Sequence, residues 1–245
     1  MVFEVAAAGG SGLVEALGLW HWEAVIDDAF MMERVPAELM DRLWAGGWRH
    51  FGTLFFRYGT QEDEGGGVDV IWPLRIDLER FEFSKSQRRV LRRNADVEVV
   101  FQSAQRSAEA EALFERHKGR FTRNVPEGLG SFLSAEPATV PCECVECRVT
   151  LGGELVALSF LDLGAESASS VYGVFEPELG RRSLGVLTML KEIEHSRARG
   201  CRWYYPGYAT QGSSAYDYKK QFGALEFLDW ESGEWGRVEE VISNQ

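Results

Sequence analysis

Ser84 to Asn94 reads Ser-Lys-Ser-Gln-Arg-Arg-Val-Leu-Arg-Arg-Asn. On a helix turning 100° per residue, Arg88, Arg89, Arg92 and Arg93 fall within an arc of about 140°, with Val90 and Leu91 on the other side. Guanidinium forks match paired phosphate oxygens, so this face, with Lys85 beside it, fits a nucleic-acid backbone. The other reading is a solvated face paired with acidic loops. Residues 75 to 93 hold seven Lys or Arg against three Asp or Glu, a local +4 in a chain of net charge -12.

A second constellation runs from Tyr172 through Phe175-Glu176-Pro177 to Gly180-Arg181-Arg182-Ser183-Leu184-Gly185. A strand passing through a loop into a long helix offers backbone N–H groups and a positive helix end at one point, where Arg181 and Arg182 add full charges. Such a point suits an anion; an ordinary capped helix is the alternative. Cys142, Cys144 and Cys147 alternate along an expected strand, which puts Cys147 on the face opposite the other two. That is poor geometry for a shared ion, so buried thiols and no metal are expected. His117 and His195 stand alone on expected helices and read as surface or packing residues, so no catalytic triad follows.

These residues need a scaffold, and the composition supplies one. The chain has 245 residues, 45% hydrophobic, 26% charged and 12% aromatic, which is a globular composition and not a disordered one. The acidic balance excludes a uniformly basic coat, and four cysteines are too few for a disulfide scaffold. No stretch approaches the ~18 apolar residues of a membrane span, and Met1-Val2-Phe3-Glu4 lacks the basic start of a secretory signal. A cytoplasmic protein with no membrane partner is expected.

Pro36 and Gly46 bracket a helix over 37–45; Trp48 to Tyr58 reads as one aromatic strand, and Gln61 to Gly67 as a solvated loop. Strand 68–76 and the basic helix 85–94 follow. Beyond residue 97 come strand 97–102, helix 107–118, two strands within 145–163 hinged at Gly152-Gly153, and strand 169–175. Ser183 then N-caps a helix to about 199, in which Leu184, Leu187, Leu190 and Ile193 form a buried stripe. Strand 202–205, a short helix 216–222 and strand 224–230 complete an α/β (α+β) order on a mixed sheet.

In this order, Gly47-Trp48-Arg49-His50-Phe51-Gly52, Ser84 to Asn94, Ser170-Val171-Tyr172 through Arg181-Arg182-Ser183-Leu184-Gly185, Gly207-Tyr208 and Tyr218-Lys219 resemble the arginyl/leucyl-tRNA protein transferases. The likeness is strongest to bacterial leucyltransferases that act on N-terminal Asp or Glu, and it covers most of residues 35 to 230. The resemblance implies a divergent, small mixed N-terminal domain over 1–96 and a GNAT-like acyltransferase domain with a mixed sheet over 97–245. It implies transfer of Leu or Arg from aminoacyl-tRNA to an amine, a protein or peptide N-terminus, with aminoacyl-tRNA as co-substrate and no further cofactor. Lys85, Arg88, Arg89, Arg92 and Arg93 would then face tRNA. Tyr172, Arg181, Arg182, Ser183, Gly207, Tyr208, Tyr218 and Lys219 would hold the donor. By charge complementarity Asp162 and Glu176 are candidates for gripping its α-ammonium, a solvated loop end being the alternative reading of each.

The chain also departs from the family. The Cys-Pro-x-Cys-x-x-Cys type segment that binds a metal or cluster in some members has no cysteine here at 57–67, and residues 1–34 lack the family's upstream cysteine. The family's Gly-Cys-x-Lys-Met-x-Tyr-Lys stands as Gly212-Ser213-Ser214-Ala215-Tyr216-Asp217-Tyr218-Lys219. A changed acceptor, either a small molecule or a biosynthetic peptide, and a non-catalytic tRNA-binding relative are the competing classes. Ester aminolysis is downhill, so positioning and oxyanion stabilisation suffice and no catalytic residue is singled out.

Overall fold

Aromatic and β-branched runs separated by glycine turns build two sheets. The computed structural model describes residues 24–25, 28–62, 66–121, 125–212, 214 and 217–239. The strands are β1 (Ala24–Val25), β2 (Asp28–Met31), β3 (Arg49–Phe51), β4 (Leu54–Arg57), β5 (Thr60–Glu62) and β6 (Val68–Asp77). They continue as β7 (Glu98–Ser103), β8 (Cys144–Leu151), β9 (Glu154–Leu163), β10 (Ser167–Phe175), β11 (Trp203–Thr210), β12 (Leu225–Leu228) and β13 (Trp235–Arg237). The helices are α1 (Ala37–Ala45), α2 (Lys85–Arg93), α3 (Ala108–Lys118) and α4 (Leu184–Ala198).

The large sheet has the order β1-β5-β6-β11-β10-β9-β8-β7, with β12 on β6 and β13 on β12; β2-β4-β3 form a small sheet. Among the described residues every pairing is antiparallel except β10 with β11, which α4 connects as a crossover. The sheet is therefore mixed, as expected. It also spans the boundary drawn at residue 97, because β6 pairs with β11 and β12.

One face of the large sheet is covered by α4, whose Leu190 and Ile193 pack with Leu74, Ile76, Leu161 and Tyr204. The expected stripe of Leu184, Leu187, Leu190 and Ile193 is buried, but so are Thr188, Met189, Glu192 and Ser196. On the other face, Leu113 and Phe114 of α3 pack with Cys144, Leu158 and Phe160. There too, Met40 and Trp44 of α1 pack with Phe55, Cys142 and Tyr205. Asp41 holds α1 in place by accepting from the amides of Ala165 and Glu166 at the β9–β10 turn, at 3.0 and 2.9 Å.

Two expectations are corrected here. Trp48 to Tyr58 is not one strand, because Gly52 takes φ 53°, a left-handed turn conformation open to glycine, and folds β3 back on β4. Ser183 starts α4 without capping it through its side chain: it lies at φ 56°, ψ 47° and its hydroxyl makes no cap bond. Residue 216, the first of the expected 216–222 helix, lies outside the described residues; 217–221 form a 3-10 turn. Among the described residues no helix is long and apolar enough to cross a membrane.

Candidate functional site

β10 and β11 pair only through Ser167–Ser169 and Trp203–Tyr205. Beyond those pairs each strand shifts register against its other neighbour, β10 between Ser170 and Tyr172 and β11 between Tyr204 and Gly207. Parallel strands that part at their carboxyl ends leave an opening where ligands of α/β sheets collect. Arg49 reaches into it from β3, donating to Ser169 Oγ and to the Ser170 carbonyl. On the β11 side Gly207 has φ 96°, and a Cβ there would lie 3.2 Å from Lys219 Nζ and 3.6 Å from Arg49 Nη2. Lys219 Nζ donates to the Tyr208 carbonyl at 3.1 Å, and the Tyr208 hydroxyl donates to Gly47 O at 2.5 Å.

Two cations thus sit together at a stretch of backbone that only glycine can supply. Burial, with Arg49 alongside, pulls the Lys219 ammonium down to about 7. Burial also lowers the Arg49 guanidinium, against the pull of Tyr208 and Asp162. Such a site can steady developing negative charge on oxygen, and its lysine exchanges a proton near neutrality.

The cationic helix forms a second, adjacent surface. Ser84 and Gln87 make a capping box at the start of α2, with Ser84 N donating to Gln87 Oε1 at 2.8 Å. Val90 and Leu91 face inward, while Lys85, Arg88, Arg89, Arg92 and Arg93 are exposed. Arg93 donates to the Arg181 carbonyl, and Asn94 Nδ2 donates to the Arg182 carbonyl at 2.9 Å. These bonds latch the C-terminal end of α2 to the 3-10 turn Pro177–Arg182 ahead of α4, so Arg181 extends the cationic face. Arg182 itself is held by Asp96 through two bonds at 2.8 and 2.9 Å.

The remaining sequence candidates lie elsewhere. Asp162 is buried, 2.6 Å from His50 Nε2, and Glu176 pairs with Arg116 of α3 at 2.6 Å. Both carboxylates thus have protein partners in this structure. Tyr172 stacks on Phe132 with ring centroids 3.6 Å apart. Tyr218 is exposed on the 3-10 turn after β11. The cysteines divide as the alternation implies, Cys142 and Cys144 packing towards α1 and α3, and Cys147 with Leu184 and Leu187 of α4. Burial and the Asp162 carboxylate push the Cys142 thiol well up, away from nucleophilic character. His117 and His195 are packing residues: Phe175 holds the first, and the second stacks on Phe101 at 4.0 Å.

Residues 106–229 match the family model described as arginine-tRNA-protein transferase, C terminus. An aspartate/glutamate leucyltransferase of Marinobacter nauticus is 32% identical over 207 residues, 82% of this chain and 83% of that protein. The chain belongs to the arginine-tRNA-protein transferase family. The protein of the same description from Agrobacterium fabrum is 31% identical, covering 80% of each chain. Among solved structures, L-PGS from Bacillus licheniformis aligns with 77% of this chain and 55% of that one, at 13% identity and a TM-score of 0.46. As a member of this family the protein is an aminoacyltransferase that depends on aminoacyl-tRNA.

Two features of this tRNA-protein transferase are absent from the expected site list. Arg49 lies inside the Gly47 to Gly52 segment that carries the resemblance, yet its partners are 120 and 121 positions away. Glu192 is fully buried between α4 and the sheet, and Tyr204 OH donates to its Oε2 at 2.5 Å. Burial pushes the Glu192 carboxyl up to about 7, and its Oε1 has no hydrogen-bond partner among the described residues. Nothing local marks it, since a Glu between apolar turns reads as part of a solvated face.

Proposed function

We propose that the protein transfers an aminoacyl group, leucine or arginine, from charged tRNA to the α-amine of a protein or peptide N-terminus, in the opening between β10 and β11. The relatives named aspartate/glutamate leucyltransferases favour leucine as the donor and an acidic N-terminal residue as the acceptor. The observation that carries the reading is the convergence of Arg49, Gly207, Tyr208 and Lys219, from three separate parts of the chain, at one break in the sheet.

In the reaction the acceptor nitrogen attacks the ester carbonyl, the carbon–nitrogen bond forms and the bond to the ribose oxygen breaks. The attacking amine loses a proton and the leaving ribose oxygen gains one. Lys219, titrating near 7, accepts the first proton and returns the second, while Arg49 faces the oxygen that gains charge. The Arg face of α2 and Arg181 hold the tRNA backbone, and no cofactor enters the step. Transfer then takes place where charged tRNA is found, in the cytoplasm.

The test is a panel of labelled leucyl- and arginyl-tRNA with peptides beginning in Asp, Glu, Lys or Ala. Transfer to an acidic N-terminus that falls at least about 100-fold in Lys219→Ala supports the reading. Tight tRNA binding with no transfer to any peptide would overturn it, in favour of a tRNA-binding relative. Transfer to a small amine alone would replace its acceptor.

A further inference from the structure

Beside the opening, an imidazole, a carboxylate and a thiol come together in the protein interior. His50 Nε2, a sulfur of Cys142 and a carboxylate oxygen of Asp162 all lie within 4.8 Å of one another, and all three residues are buried. They come from distant segments: β3, the approach to β8, and β9. We propose that His50, Cys142 and Asp162 form a binding site for one divalent transition-metal ion of the zinc type.

The hydrogen-bond pattern of the histidine suits either an imidazolium–carboxylate pair or a bound ion. His50 Nδ1 lies 3.0 Å from the Gly52 carbonyl, which can only accept, so Nδ1 carries a hydrogen. The 2.6 Å contact of Nε2 with Asp162 Oδ2 then needs a further hydrogen, or a cation, between two atoms that both offer lone pairs. Histidines that bind metals are oriented in this way, with the remote N–H tied to a backbone carbonyl and the near nitrogen aimed at the ion. A Cys-His-Asp nucleophile needs the thiol and the carboxylate on opposite ring nitrogens. Here Asp162 occupies Nε2 and the backbone occupies Nδ1, so that role does not fit.

Size and charge agree with an ion. Bonds of about 2.0–2.1 Å at a tetrahedral angle place nitrogen and oxygen about 3.3 Å apart, so the His50–Asp162 pair opens by less than about 1 Å. A neutral imidazole, a carboxylate and a thiolate around a divalent cation sum to zero, the charge that a buried site tolerates best. On binding, the ion displaces the shared hydrogen and the thiol proton, both released to solvent. Cys142 also lines a groove of about 490 Å³ with Arg34, Val35, Pro36 and Pro141, which puts the site next to the surface. The cysteine-free 57–67 segment and the alternation of Cys142, Cys144 and Cys147 gave reason to expect no metal. This grouping escapes both arguments, because it takes only Cys142 from that cluster and its other two ligands are not cysteines.

The experiment is elemental analysis of the purified protein, followed by titration of chelator-treated protein with Co²⁺. One equivalent per chain, tetrahedral visible bands and a thiolate charge-transfer band are expected, all displaced by Zn²⁺. Cys142→Ser should abolish the charge-transfer band, and both Cys142→Ser and Asp162→Asn should weaken binding by more than about 100-fold. Cys147→Ser, a buried thiol packed against α4, is the control and should bind unchanged. Circular dichroism of each metal-free variant separates unfolding from ligand loss. Absence of stoichiometric Co²⁺ binding by the folded wild-type chain would overturn the proposal, as would an unchanged spectrum in Cys142→Ser or equal loss in Cys147→Ser.

Discussion

Replacing Arg88, Arg89 and Arg92 together by Ala isolates the nucleic-acid surface from the fold. Arg93 stays because it holds the Arg181 carbonyl. The three side chains are exposed, the Ser84–Gln87 capping box is untouched, and Val90 and Leu91 keep their packing. Arg and Ala are close in helix propensity, so the stability change stays within about 0.5 kcal/mol per site. Binding responds differently. Each phosphate contact contributes about 0.7 to 0.9 to the logarithmic salt slope, so three lost contacts reduce that slope by about 2 to 3. Between about 50 and 200 mM salt the wild type should therefore lose roughly 20- to 40-fold more affinity for tRNA than the variant. Anisotropy titrations of uncharged tRNA across that range measure both slopes. An unchanged slope in a variant of unchanged melting temperature would refute the assignment of α2 to tRNA.

Three further outcomes follow from the interior. Lys219 is held near 7, so the transfer rate at subsaturating substrate should rise in two steps, one near pH 7 and one near the ordinary α-amine value of about 8, and Lys219→Arg should remove the first and keep the second; a profile that falls over this range contradicts the role. Glu192 has a folded value near 7, above its ordinary one, so between about 4.5 and 7 the native state binds the extra proton and stability declines as pH rises through that window. Urea midpoints of Glu192→Gln should lack this decline and exceed wild type at pH 8; parallel curves would refute the burial argument. Gly207→Ala should cost about 1–3 kcal/mol from its backbone conformation and lower transfer further by displacing Lys219, read from thermal melts and from turnover.

What was legible in the chain was local. The α2 arc and the α4 stripe depend on residues one to four positions apart, and periodicity reports them directly. The β3–β4 hairpin was hidden because its aromatic run is continuous and only Gly52 marks the turn. His50 read as one member of a family segment, since its carboxylate partner is 112 positions away. Glu192 was invisible for a different reason. A helix that crosses between parallel strands is covered beyond its apolar stripe, so a polar residue there is buried whatever its period predicts. Asp162 and Glu176 were assigned to the donor by charge alone, and charge does not tell which carboxylates already have partners within the protein.

The row of residues across the large sheet explains what the short segment Gly47 to Gly52 does for the site. Cys144 of β8 stands opposite Asp162 of β9, Asp162 opposite Ser169 of β10, and Ser169 opposite Tyr205 of β11. Directly opposed residues share a face, so these four side chains form one line beneath the small sheet. β3 crosses that line: His50 meets Asp162, and the next residue back, Arg49, meets Ser169. A shift of β3 by one residue would put Arg49 over Asp162 and leave Ser169, the Ser170 carbonyl and the Lys219 side of the opening without their cation. The turn at Gly52 and the close approach at Gly47, where a Cβ would come 2.7 Å from Trp230, hold that register from both ends. Gly47-Trp48-Arg49-His50-Phe51-Gly52 is thus a positioning device, whose two outer glycines set where its two central side chains fall.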